Sequence, residues 1–388
     1  MAKTFLLSRR EFLIGCSVAA SPLLTPVTFA AAPGENRLVV IVLRGAMDGM
    51  DVLRPVGDPA LLALRPGLAA GAAADPLVLD GFYALHPALS GLMPLWQKGE
   101  LGFATAVATP YRTRSHFEAQ DALESGTGDA DGPTAAPAGD GWLNRAVGRL
   151  GGFDADTAVM IGQEPMLIME GAAPVRHWLP VDESRMSDQG ESLLMRLYDA
   201  DPAFAAAWAE TQALRDETTD RKQPGEKDPL GRYVAERLNA ESRIATFSVA
   251  GWDTHHNQTG ALPKRLGPLA DLLLTLRSEL GRHWAHTAVI ALTEFGRTAH
   301  ENGTGGTDHG TGGTAILAGG ALKGGKVWGQ WPGLDEASLL DRRDLMPTSD
   351  VRGYAARMLH EMFGIGQGDL EAAVFPGLSM QEMPQLTL

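Results

Sequence analysis

Cysteine is nearly absent from this chain: Cys16 is the only one in 388 residues. Beyond residue 16 there is no disulfide framework, no Cys-ligated zinc and no thiolate nucleophile. Basic residues are also short, 33 Lys and Arg against 47 Asp and Glu, for a formal net charge of -14. That balance argues against a wide nucleic-acid footprint. Long hydrophobic runs are missing too. The N-terminal apolar run is broken by Pro22, and no other segment is long and apolar enough to cross a bilayer. What is there, 44% hydrophobic and 21% charged, is the composition of a folded chain with a large core.

The first thirty-odd residues read as an address rather than as fold. Arg9 and Arg10 follow Ser8 and precede Phe12 and Leu13; a modest apolar run comes next, then small residues in "TFAAA". The stretch resembles a twin-arginine export signal, with cleavage expected after Ala30 to Ala32. The expected organisation is a signal over residues 1–32 and a single α/β domain over 33–388. The expected partner is the twin-arginine export machinery, the expected location periplasmic or secreted, with no stable membrane span after cleavage.

"RLVVIVLRG" (Arg37 to Gly45) is a continuous apolar run rich in β-branched residues and closed by glycine, the pattern of a strand buried on both faces. Similar runs lie at Glu100 to Thr109, Thr157 to Gln163, Arg243 to Gly251, His286 to Glu294 and Gly313 to Gly320. Between them, Leu262, Leu266, Leu269, Leu273, Leu276 and Leu280 recur in steps of four and three, which gives one apolar helix face. "PTSDVRGYAARMLHEMFGI" predicts a helix capped by Thr348 or Ser349. Buried strands alternating with amphipathic helices predict a doubly wound α/β fold, a mainly parallel sheet with helices on both faces. Glu210 to Pro229 and Gly126 to Gly141 read as a charged linker and a Gly/Ala/Pro loop.

In such a sheet ligands bind beyond the carboxyl ends of the strands. The polar residues placed there are Asp48 and Asp51, Ser115 and His116, then Asp253, His255 and His256 of "GWDTHHNQ". Glu294 and Arg297 of "TEFGRT" follow, with Asp308 and His309 among glycines. Carboxylates and imidazoles converging from separate loops are what a hard or borderline divalent cation needs. Each has a plainer reading. Asp48 before Gly49 is also a turn aspartate. Ser115 and Glu118 form an S-x-x-E capping box, although a hydroxyl at a helix start also faces any bound anion. At most one of His255 and His256 points into a given site. Glu294, ending an apolar strand, needs a metal or Arg297 to satisfy it. The remaining histidines, His86, His177, His283, His286, His300 and His360, read as surface or packing residues.

"LRGAMDGMDVLRP", "PYRTRSHFEAQDALESG", "GWDTHHNQ", "TEFGRT", "GTDHGTGG", "LAGGALKGGKVWGQWPGL" and "DLMPTSDVRGYAARML", taken in order, resemble the DUF1501 family over nearly the whole chain after the signal. That family is distantly similar to the alkaline phosphatase and sulfatase superfamily. The resemblance implies an exported, metal-dependent hydrolase of a phosphate or sulfate ester on an alkaline phosphatase-like fold. It implies Ser115 as nucleophile, Arg114 or Arg112 on a substrate oxygen and Arg297 among the catalytic residues. It implies metal ligation by Asp48, Asp253, His255 or His256, Glu294, Asp308 and His309. The cofactor is one or more divalent ions, zinc, manganese, magnesium or calcium, and the substrate a small anionic ester. Where the superfamily has an Asp-His pair this chain has Glu294 and Phe295. That departure supports the alternative, a non-catalytic binding or cell-envelope assembly protein on a hydrolase scaffold.

Overall fold

The computed structural model describes residues 27–30, 34–70, 77–130, 139–150, 159–161, 166–173, 176–178, 228–240 and 242–388, the strands at 27–30, 159–161 and 176–178 by backbone alone. Most of the charged segment before Pro229, the middle of the Gly126 to Gly141 loop and residues 1–26 lie outside the described residues.

Its strands, in chain order, begin with β1 (Val27–Ala30) and β2 (Arg37–Arg44). A small three-stranded sheet follows, β3 (Leu53–Arg54), β4 (Leu77–Val78) and β5 (Ala84–Leu85). Then come β6 (Leu101–Ala108), β7 (Val159–Ile161), β8 (Arg176–Trp178), β9 (Ile244–Ala250), β10 (Thr287–Leu292), β11 (Gly313–Ala318), β12 (Val327–Trp328) and β13 (Ser349–Asp350). The large sheet runs β12-β6-β11-β10-β2-β9-β1-β7-β8, with β13 also on β6. The pairing senses make β2, β6, β9 and β10 run the same way, while β11 and β1 are reversed. The sheet is therefore mostly parallel, as the apolar runs predict. All six predicted strands are present within a few residues of their expected ends.

The run in β2 is apolar throughout because both of its faces are covered. Leu38, Val40 and Val42 face a core shared with Trp142 of α2 (Trp142–Val147) and Tyr354 and Leu359 of α5 (Val351–Phe363). Val39, Ile41 and Leu43 face the other core. There they meet Val234 of α3 (Pro229–Asn239) and Leu266, Leu269, Leu273 and Leu276 of α4 (Pro263–Leu280). The leucine periodicity thus marks the buried face of α4, and Pro263 opens it at a position that needs no amide donor.

The expected caps are displaced. α5 is capped by Asp350, whose side chain accepts from Arg352 N. The Thr348 hydroxyl is instead donated to the Gln330 carbonyl, and Ser349 belongs to β13. β1 falls inside the stretch read as an export signal, so the expected cleavage after Ala30 to Ala32 would remove a strand that lies between β9 and β7. No helix among the described residues is long and apolar enough to cross a membrane.

The reversal of β11 positions the site. β10 leads into a segment with no crossover helix, so the chain returns antiparallel beside it. The start of β11 therefore lies at the same rim as the ends of β2, β6, β9 and β10. Leu276 has no exposed surface between α4 and the sheet. Leu276→Ala is expected to lower unfolding free energy by about 2–5 kcal/mol, measured by urea titration.

Candidate metal centre

β2 ends in a turn that only glycine can make. Gly45 has φ +117, and a Cβ there would sit 2.7 Å from Asp253 N. That closeness presses the "GWDTHH" loop after β9 onto the loop after β2. Arg297 binds the two together: its buried guanidinium donates to the carbonyls of Ala46 (2.7 Å), Thr307 (3.0 Å), Gly45 (3.0 Å) and Trp252 (3.2 Å), and to Asp253 Oδ1. Residues 296–298 and 308–311 pair as a short hairpin, with Thr298 N donating to Asp308 O and Gly310 N to Gly296 O. A Cβ on Gly310 would lie 2.3 Å from the Arg297 carbonyl carbon, so the glycines around His309 permit this zipper.

Three imidazoles are held in the same way. His116, the first residue of α1 (His116–Ser125), donates Nδ1–H to Glu294 Oε1 at 2.8 Å. His255 donates Nδ1–H to Asp308 Oδ1 at 3.3 Å, and His309 donates Nδ1–H to the Arg114 carbonyl at 3.3 Å. A neutral ring that donates through Nδ1 carries its lone pair on Nε2. His309 Nε2 lies 3.0 Å from His116 Nε2 and 3.0 Å from His255 Nε2. Asp253 Oδ1 is 3.0 Å from His255 Nε2 and 3.3 Å from His309 Nε2, and its Oδ2 is 3.7 Å from His116 Nε2. The ligating atoms of His116, Asp253 and His309 all lie within 4.8 Å of one another, and His255 flanks them.

Lone pairs facing each other at such distances repel, and a proton or a cation between them relieves that repulsion. The hydrogen bond to Glu294 raises the His116 pKa above the ordinary histidine value. Burial, then the charge on His116, lowers that of His309. A tetrahedral ion with bonds of 2.0–2.1 Å sets its ligand atoms roughly 3.3 Å apart, close to the His116–His309 and Asp253–His309 separations here. The site is open to solvent, Asp253 being 43% exposed.

Other predicted residues take different parts. Glu294 has no exposed side-chain surface and is satisfied by neither Arg297 nor direct membership of the cluster. It accepts from Gly45 N (2.8 Å), His116 and Gln120 Nε2 (3.2 Å) through Oε1, and from Thr293 Oγ1 (3.0 Å) through Oε2. Burial pushes its pKa up, but His116 and these donors win and hold it below the usual glutamate value. Asp308 likewise orients His255, and Asn302 Nδ2 donates to it at 3.1 Å. His256 is exposed, its ring 6.5 Å from that of His255, so His255 is the inward one of the pair.

Asp48 is not brought to the cluster. Its Oδ1 accepts from Met50 N and Asp51 N, the turn role, while Oδ2 accepts from Arg65 Nη1 (2.8 Å) and Gln258 Nε2 (2.7 Å). Arg114 is not free for substrate either: its guanidinium donates to Asp344 and Asp341. Arg112 donates to the carbonyls of Thr109 and Tyr111.

Ser115 stands at the N-cap of α1, but its side chain makes no cap hydrogen bond. The expected capping box is replaced by Tyr111, whose hydroxyl accepts from Ser115 N (2.9 Å) and donates to Glu118 (2.7 Å). The Ser115 hydroxyl is thus not spent on the helix, and its chain neighbours Arg114 and His116 both contact His309. His116, which the sequence shows beside Ser115 but does not mark as a ligand, proves central. Its signal is position, the first helical residue after a strand-end loop.

A search of curated proteins finds no match. A similar solved structure is that of a protein in the alkaline phosphatase superfamily from Vibrio parahaemolyticus. It is 12% identical, aligned over 81% of this chain and 69% of that one, with a TM-score of 0.34. The family model described as "Protein of unknown function (DUF1501)" matches residues 93–367. That span, most of the chain, holds His116, Asp253, His255, Glu294 and His309, and the protein belongs to the DUF1501 family.

Proposed function

We propose that this protein is an exported, metal-dependent hydrolase of a phosphate or sulfate ester. One observation carries the reading. Three imidazole Nε2 atoms and a carboxylate meet at one point, and the serine that precedes His116 in the chain leaves its hydroxyl unused by its own helix. His116, Asp253 and His309 hold the cation, with His255 as a further ligand. This nitrogen-rich set favours zinc or another imidazole-binding transition ion over magnesium and calcium. Such an ion supplies positive charge that polarises an ester oxygen and eases loss of a nucleophile's proton.

The chain's own groups do the rest. Glu294, Asp308 and the Arg114 carbonyl keep each Nδ1 protonated and each Nε2 free. Ser115 offers its oxygen at the positive end of α1, whose first amides face an anionic ester. The serine oxygen attacks the phosphorus or sulfur, the ester oxygen leaves, and a water then releases the anion from the serine.

A second reading, a binding protein on the same scaffold, is favoured by the arginines. Arg114 and Arg297 are both engaged within the protein, which leaves neither to neutralise a transition state.

His309→Ala and Asp253→Ala should abolish tight zinc uptake, measured by chelator competition, while leaving far-UV circular dichroism unchanged. Ser115→Ala should keep zinc affinity and reduce turnover of aryl phosphates and sulfates to background. Full turnover by Ser115→Ala removes the nucleophile assignment, and zinc uptake without turnover in the unaltered protein favours the binding reading. Asp48→Asn should leave zinc affinity intact but cost about 3–5 kcal/mol, because Arg65 stays buried without its counter-charge. Burial raises the Asp48 pKa, yet Arg65 and its other donors hold it below the usual value. The stability that Asp48 contributes is therefore present at neutral pH and lost as pH falls through that lowered value. The gap between unaltered protein and variant in denaturant titrations should narrow accordingly on acidification.

A further inference from the structure

The motif "DLMPTSDVRGYAARML" opens on Asp344, met above only as a partner of Arg114, and its side chain has no exposed surface. Asp344 Oδ2 accepts from Arg114 Nε (2.8 Å) and from Thr311 Oγ1 (2.8 Å) and pairs with Arg114 Nη2 at 2.7 Å, while Oδ1 accepts from Arg343 Nη1 (2.9 Å). Arg114 is two residues before His116, and Thr311 is two residues after His309. A single buried carboxylate thus ties the limb that carries His116 to the limb that carries His309. Its own backbone is fixed as well. Leu340 and Asp344 exchange backbone hydrogen bonds (2.9 and 3.0 Å), and Asp344 bridges Thr298, next to Arg297.

The strain at Arg114 shows what the tie does. Arg114 has φ +63, a left-handed conformation that long side chains seldom adopt. Such a residue persists where its surroundings over-determine it, and here the guanidinium is held at Asp344 with a further contact to Asp341. The same turn presents the Arg114 carbonyl to His309 Nδ1. Released from Asp344, the residue is free to relax to negative φ and swing that carbonyl away. His309 then loses the acceptor that keeps its proton on Nδ1 and its lone pair on Nε2.

We propose that Asp344, acting through Arg114, is a positioning residue of the metal centre: it fixes the tautomer of His309 and the spacing of the two histidine-bearing limbs. This inference rests on the metal reading given above. It assigns Arg114 to the frame of the site instead of to the substrate.

The test uses the full chain with Asp344→Asn and Arg114→Lys. Zinc affinity, read by competition with a chromophoric chelator, should fall about 10–100-fold in each, although neither residue reaches the ion. The double variant should be little worse than the weaker single one, because both changes break one tie. In metal-free protein at alkaline pH, nitrogen-15 NMR should place the His309 proton on Nδ1 in the unaltered chain and distribute it over both nitrogens in the variants. His116, held by Glu294, should keep its own tautomer and serves as the internal control. If Asp344→Asn does not fold by circular dichroism, Arg114→Lys carries both measurements. A folded variant whose His309 proton stays on Nδ1 overturns the inference. Failure of the unaltered protein to take up zinc removes the metal reading alone, since the tautomer measurement still decides the role of Asp344.

Discussion

The rim of the sheet is organised around a carboxylate that has no water. Glu294 is fully buried at the end of β10, where an unpaired charge is costly. Its oxygens therefore draw donors from three directions: an amide of the turn after β2, the first side chain of α1 after β6, and the hydroxyl of its own chain neighbour. Satisfying Glu294 is what brings His116 inward. Arg297, three residues on, plays the complementary part, a buried cation satisfied by four carbonyls and one carboxylate. Between them these two groups join the ends of β2, β6, β9 and β10 into one surface.

That arrangement orders the chemistry into layers. Groups that touch the central point are imidazole Nε2 atoms and Asp253. Groups behind them, Glu294, Asp308 and the Arg114 carbonyl, are acceptors, and each sets which nitrogen of its histidine keeps a proton. The arginines lie further back and hold backbone. Several residues that the family resemblance assigns to direct ligation or substrate contact thus lie one contact away from that point; for the fully buried Asp48, Glu294 and Arg297, burial forces each charge to find its partner inside the protein.

The strands and the long helix were legible in the sequence because their signals are local. A run apolar on both faces means burial on both faces, and a four-three leucine spacing means one buried stripe. Gathering of polar groups at strand ends was legible for the same topological reason. Hydrogen-bond partners were not. Thr348 and Ser349 look like caps, yet distant backbone claims the first and β6 the second. Ser115 and Glu118 match a capping box, yet Tyr111 inserts its hydroxyl between them. Asp344 gave no sign at all, because its partners Arg114 and Thr311 lie 230 and 33 residues away along the chain. The choice between His255 and His256 also waits on tertiary contacts, since it depends on where Asp308 stands.

The reversed strand β11 has a consequence for how the centre responds to its occupant. Because the chain leaves β10 and re-enters β11 at one rim, the segments bearing Glu294 and His309 zip together through backbone bonds that owe nothing to any ion. A frame closed in this way does not depend on an ion, unlike small zinc modules, in which the fold melts when the metal is withdrawn. A cation bound as proposed would enter a frame that is already set.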